Sequence, residues 1–118
     1  MSGDAVLIID DDEMTRSGLR LLLQFEGYAV QACKSGRSAV DLVEKECFDI
    51  FLVDYRMPEM RGDEVTRMLR DRCPGAFIIG IGIESKEETF LQAGADVFLG
   101  KQDLTQCLIP LIRNRGKK

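Results

Sequence analysis

The stretch DIFLVD, residues Asp49 to Asp54, sets four bulky apolar side chains in a row and closes them with an aspartate at each end. A strand with one wet face alternates apolar and polar residues. An unbroken apolar run of this kind is a strand buried on both faces, as in a parallel sheet covered by helices. The pattern recurs outward along the chain. AVLIID (Ala5 to Asp10) and AFIIGIGI (Ala76 to Ile83) are further apolar runs, the latter unusual for its glycines, and DVFLGK (Asp96 to Lys101) is the last. YAVQAC (Tyr28 to Cys33) alternates, as a less enclosed strand does.

Helical periodicity fills the intervals. Leu19, Leu22 and Leu23 share one face of a helix that Gly27 stops, and Ser35 caps a second helix striped by Ala39, Val40 and Val43. A third carries Val65, Met68 and Leu69 and ends near Arg72, before Cys73-Pro74-Gly75. Ser85 with Glu88 reads as a capping box opening a short fourth helix, closed by Ala93-Gly94-Ala95. Asp103 caps a fifth, with Leu104, Cys107, Leu108, Leu111 and Ile112 on one side; Pro110 is predicted to kink it or end its regular hydrogen bonding one turn early. Five strand–helix units in succession predict a doubly wound α/β domain, a five-stranded parallel sheet with helices on both faces.

Length and composition agree with a single soluble domain spanning residues 1–118: 45% of the residues are hydrophobic and 31% charged. No apolar run approaches the roughly 18 residues that span a bilayer, and MSGDAVLIID lacks the basic flank of a signal peptide, so a cytoplasmic protein without membrane contact is expected. A net charge of −4 gives no overall attraction for nucleic acid, although RNRGKK at residues 113–118 is a local basic tail or the start of a linker. With no histidine and no CxxC among its four cysteines, the chain excludes a Cys/His zinc site and histidine-based catalysis. Cys33, Cys47, Cys73 and Cys107 each lie in an apolar neighbourhood and read as small core residues.

The carboxylates remain to be explained. Asp10, Asp11 and Asp12 follow one apolar run directly, and at about 5 Å with an effective dielectric near 20 each like-charged pair costs roughly 3 kcal/mol. In doubly wound folds ligands bind outside the carboxyl ends of the strands. Asp10 and Asp11 end the first strand, Asp54 the third and Lys101 the fifth, so three carboxylates and one ammonium converge on one edge. Neither GxxxxGK[ST] nor GxGxxG occurs, which excludes a nucleotide-cradling loop. A carboxylate can instead act as a nucleophile toward phosphorus, given a divalent ion and a lysine to neutralise the incoming oxygens. Asp12 is set apart as the N-cap of the first helix.

The segments LIIDDDEMTR, FDIFLVDYRMPEMRGDE and AGADVFLGK, in this order and spacing, resemble the receiver domains of two-component response regulators over essentially the whole chain. The resemblance implies a flavodoxin-like (βα)5 fold with strand order 2-1-3-4-5. It implies that Asp54 accepts a phosphoryl group from a histidine kinase or phosphotransfer protein, with Lys101 contacting the phosphoryl oxygens. Mg²⁺ (or Mn²⁺) would be held by Asp10, Asp11, Asp54 and the backbone carbonyl of Arg56, with Asp10 acting through a water. The Arg56 guanidinium would pair with Asp10, Asp11 or the phosphate. Such a domain signals to a downstream protein or output domain rather than acting as an enzyme, beyond self-phosphorylation from a donor and self-dephosphorylation. Phe98 falls at the family's switching aromatic, and a homodimer would use the face of the fourth helix, fifth strand and fifth helix.

Two departures stand out. Where the family ends the fourth strand with a threonine or serine, this chain has Gly82, or Ile81 under a one-residue shift, neither with a hydroxyl, and the loop after it is shorter by roughly three residues in alignment by eye. Gln102 replaces the proline that usually follows the lysine, so that peptide is expected to be trans. The alternative implied by these changes is a phosphorylation-independent interaction module.

Overall fold

The computed structural model describes residues 4–115. Its strands are β1 (Ala5–Ile9), β2 (Ala29–Cys33), β3 (Ile50–Asp54), β4 (Phe77–Gly82) and β5 (Val97–Gly100), alternating with α1 (Glu13–Phe25), α2 (Gly36–Val43), α3 (Gly62–Arg72), α4 (Glu87–Ala93) and α5 (Leu104–Arg113). All strand pairs are parallel, in the order β2-β1-β3-β4-β5. The apolar runs are central for the expected reason. Every residue of β3 is buried, Phe51 and Val53 facing a core built with α2, α3 and α4, Ile50 and Leu52 facing one built with α1 and α5.

Of the two glycines of β4, Gly80 has a packing cause, which it shares with Gly62 at the start of α3. A Cβ at Gly80 would lie 2.3 Å from the Phe90 ring, and one at Gly62 would meet the Asp54 carbonyl at 2.4 Å and the same ring at 2.7 Å. Phe90 is fully buried. Its ring therefore lies flat against a strand with its side chain deleted, which brings α4 close to the sheet.

Several local expectations are corrected. The Ser85/Glu88 capping box does not form: Glu84–Lys86 is a 3-10 turn, Lys86 N–H donates to the Ile83 carbonyl, and α4 begins at Glu87. The short connection winds tightly and leaves Ser85 outside the N-cap position. Asp103 precedes α5, but after a 3-10 turn over Lys101–Asp103 its side chain makes no capping bond. Pro110 does not end α5, which continues to Arg113; the ring faces solvent and the carbonyl it leaves unpaired belongs to exposed Gln106. The buried side of α5 is Leu108, Ile109 and Ile112, with Cys107 exposed, and in α3 Met68 is exposed beside buried Val65, Thr66 and Leu69.

The cysteines depart furthest from expectation. Only Cys73 is a core residue; it forms a disulfide with Cys47, which lies in the exposed loop before β3, and Cys33 is half-buried. Part of the basic tail, residues 116–118, lies outside the described residues. Within them, Arg113 pairs with Glu26 and Arg115 with Asp4, so these two arginines are tied to the domain body.

Candidate functional site

β1, β3 and β5 deliver their last residues to one edge of the sheet. Asp10 follows β1 and is buried; its Oδ1 accepts the Asp12 N–H at 2.8 Å, while its backbone carbonyl accepts from the Arg16 guanidinium at 2.8 Å. Asp11, next along, is exposed. Asp54 ends β3 with its side chain 3% exposed, and Lys101 Nζ stands 3.4 Å from its Oδ1. That approach lies in ion-pair range but off hydrogen-bond geometry, so Oδ1 is buried without a hydrogen-bond partner. One carboxylate oxygen each from Asp10, Asp11 and Asp54 lies within 4.8 Å of the others.

Such a cluster is electrostatically unfavourable by itself. Burial raises the Asp54 carboxyl to about 6, with the Asp10 charge adding to the rise and Lys101 opposing it. Burial also raises Asp10, against the hydrogen bond from Asp12 N–H and the attraction of Lys101. Hard oxygen donors, a buried orphan oxygen and an open lip at Asp11 together fit a hard divalent cation such as Mg²⁺. Asp12 stands outside the cluster. Its carboxylate accepts from Thr15 N–H at 2.9 Å and Thr15 Oγ1 at 2.6 Å, capping α1, and those bonds hold it below the usual carboxylate range.

The cluster opens into a pocket of about 300 Å³ lined by Asp54, Tyr55, Arg56, Gly82, Ile83, Lys86 and Lys101. A larger, more open depression of about 590 Å³ runs along Glu84, Ser85, Glu88 and Leu91, away from the carboxylate cluster. Arg56 is exposed and, among the described residues, makes no ion pair with Asp10 or Asp11, contrary to the pairing considered for it. Gly82 abuts the pocket beside Tyr55. Phe98 is half-buried and joins an aromatic chain: its ring centroid is 5.9 Å from Phe90, which meets Tyr55 edge-on at 6.0 Å. The Lys101–Gln102 peptide is trans, as expected. Lys86 escaped the sequence reading because its place depends on how tightly the 3-10 turn winds; its Nζ lies 4.6 Å from the Tyr55 ring centroid, a contact typically worth about 0.5–1 kcal/mol at exposed sites.

A doubly wound sheet with an acidic trio and a lysine at the carboxyl edge defines a class of α/β signalling domains. The response regulator receiver domain profile matches residues 6–112, and the chain belongs to that family, the receivers of two-component signalling. Response regulator MprA of Mycolicibacterium vanbaalenii is 35% identical over 111 residues, which are 92% of this chain and 48% of that protein. The chain thus spans about half the length of the curated relatives it matches. Among solved structures, a CheY-like receiver domain protein from Methanospirillum hungatei superposes with a TM-score of 0.89 at 27% identity, covering 97% of this chain and 94% of the other. The receiver domain of the histidine kinase CKI1 from Arabidopsis thaliana gives 0.85 at 28%, covering 98% and 91%. No helix among the described residues is long and apolar enough to cross a membrane.

Proposed function

We propose that the whole chain, residues 1–118, is one cytoplasmic receiver in which Asp54 accepts a phosphoryl group from a phosphohistidine of a kinase or phosphotransfer protein. The observation that carries this reading is the buried Asp54 Oδ1, left without a hydrogen-bond partner between two other carboxylates and an ammonium. An Asp54 carboxylate oxygen attacks phosphorus, an O–P bond forms, the P–N bond breaks, and its electron pair stays on the imidazole nitrogen. Lys101 shifts from the carboxylate to the new phosphoryl oxygens. Asp10, Asp11, Asp54 and the Arg56 carbonyl would hold Mg²⁺ (or Mn²⁺), which supplies charge neutralisation for the phosphoryl oxygens when bound. Asp10 would act through a bound water.

A protein donor needs a surface beside the pocket. Met14, Leu21 and Phe25 are 83%, 69% and 87% exposed along one stripe of α1, the helix that begins at the acidic cluster. The output would pass to a downstream protein or output domain, with the α4-β5-α5 face available for a homodimer. Gly82, lacking a hydroxyl, favours a second reading: an interaction module that works without phosphorylation. Incubation with acetyl phosphate and Mg²⁺, followed by intact mass, separates the two. A single phosphoryl adduct lost in Asp54→Asn supports the transfer, and no adduct across donors and pH overturns it in favour of the module.

A further inference from the structure

Gly82 leaves a gap, and a cation stands at its rim. A Cβ built on Gly82 would lie 3.4 Å from Tyr55 Cβ, 3.8 Å from Phe98 and 3.9 Å from Lys86 Cβ, so the position has room for a side chain that the sequence omits. Lys86 is half-buried, lines the same pocket as Asp54 and Lys101, and among the described residues has no carboxylate partner. Its ammonium rests on the Tyr55 ring.

Building on the phosphoacceptor reading of Asp54, we propose that Lys86 is a second phosphoryl-binding cation. Its ammonium leaves the Tyr55 ring for the oxygens of phosphorylated Asp54, in the place where a hydroxyl is missing. A phosphoryl group carries about −1.5 to −2 charges and accepts charge-assisted hydrogen bonds, which outcompete the face of a tyrosine. The flexible four-carbon stem lets the ammonium swing from ring to pocket, and the bare Gly82 puts no side chain in its way. Arg56 also lines the pocket, but its side chain is exposed and no contact among the described residues aims it inward.

The move has a route outward. Lys86 is the N-cap residue immediately before α4, and its departure uncovers Tyr55, whose ring touches Phe90 and through it Phe98. Phosphorylation would thereby reach α4 and β5 through a lysine and an aromatic chain.

The test compares wild type with Lys86→Met, which keeps the apolar stem, using Mg²⁺ and beryllium fluoride as the phosphoryl mimic. Loss of the ammonium should weaken beryllofluoride binding about tenfold, while Mg²⁺ affinity without the mimic changes by less than about twofold. Lys86→Arg should keep most of the affinity, and Gly82→Ser placed in the Lys86→Met protein should restore it. In wild-type NMR spectra, Lys86 methylene signals displaced by the Tyr55 ring should lose that displacement when beryllofluoride binds. Equal beryllofluoride affinity in wild type and Lys86→Met overturns the proposal. So does a parallel loss of Mg²⁺ affinity, which would mark a structural role, or a loss seen with Arg56→Gln instead. Wild type that binds no beryllofluoride and takes no adduct overturns the phosphoacceptor reading itself, whereas binding unaffected by Lys86→Met removes the lysine alone.

Discussion

β3 begins beside one aspartate and ends on another, and the two are held in opposite ways. At the amino end, Asp49 is exposed and tied in by three hydrogen bonds: its Oδ2 accepts the Ala5 N–H at 2.8 Å, its N–H donates to the Ala5 carbonyl at 2.9 Å, and its carbonyl accepts from Phe77 at 2.9 Å. The same edge carries the Cys47–Cys73 disulfide and Arg70, whose guanidinium donates to the Gly94, Pro74 and Ala76 carbonyls and to the Asp96 carboxylate. At the carboxyl end, Asp54 is buried beside like charges with an orphan oxygen. One edge of the sheet is satisfied and tied down; the other gathers buried like charges that a divalent cation would relieve. Strain concentrated where ligands arrive, and tight pairing where none do, is what a binding edge on a rigid frame requires.

Substitutions at the two edges sharpen that contrast. The largest effect is expected from Cys47→Ser or reduction. Opening a crosslink between residues 26 apart removes about 3–4 kcal/mol of stability in the chain-entropy account, or roughly 10 °C of melting temperature. Urea unfolding with and without reductant measures it, and identical curves would mean that the tied edge does not depend on the crosslink.

Next comes Asp54→Asn in the metal-free protein, with the opposite sign. Because the folded carboxyl sits near 6 instead of 3.8, the native state holds a proton that the unfolded chain has released between those values. Wild-type stability therefore falls as pH rises through that window, and above it the full penalty applies, equivalent to roughly 3 kcal/mol. Asn should recover up to that amount at neutral pH and flatten the profile between pH 4 and 6. A wild-type profile that is flat there, or a less stable variant, would contradict the picture of a strained edge.

Asp49→Ala should cost about 1–1.5 kcal/mol, by leaving the Ala5 N–H without its side-chain acceptor. A stabilising result, matching Asp54→Asn, would erase the distinction between the two ends of β3. The finest division lies inside the acidic run. Asp12→Ala should lose about 1 kcal/mol of helix capping and keep Mg²⁺-induced stabilisation, whereas Asp11→Ala should abolish that stabilisation. Titrations of melting temperature against Mg²⁺ decide, and equal metal loss in both variants would show the run to be divided wrongly.

The fold was legible because burial on both faces writes itself as unbroken apolar runs; β1, β3 and β4 each lie within a residue of where DIFLVD and its counterparts place them. The convergence of Asp10, Asp11, Asp54 and Lys101 was legible too, since a parallel doubly wound sheet brings strand ends to one edge. What stayed hidden depends on distances that pattern does not encode. Nothing in the separation of Cys47 and Cys73 says that a loop before β3 meets the end of α3. Ser85 and Glu88 had the spacing of a capping box, but the tight turn at Glu84–Lys86 changed which residue starts the helix and so put Lys86 at the pocket. The glycines of AFIIGIGI stood out in the sequence without a stated cause, and for Gly80 that cause is the ring of Phe90.

The Cys47–Cys73 bond also changes what a protease can do to this domain. Together with the backbone it closes a covalent circuit that contains β3, Asp54 and all of α3. Pro58 and Glu59 form the exposed bend of that circuit, with Glu59 at a φ of 72° that few non-glycine residues adopt. A nick there opens the chain yet releases nothing: the two pieces travel as one species until a reductant parts them, and Asp54 stays on a tethered strand.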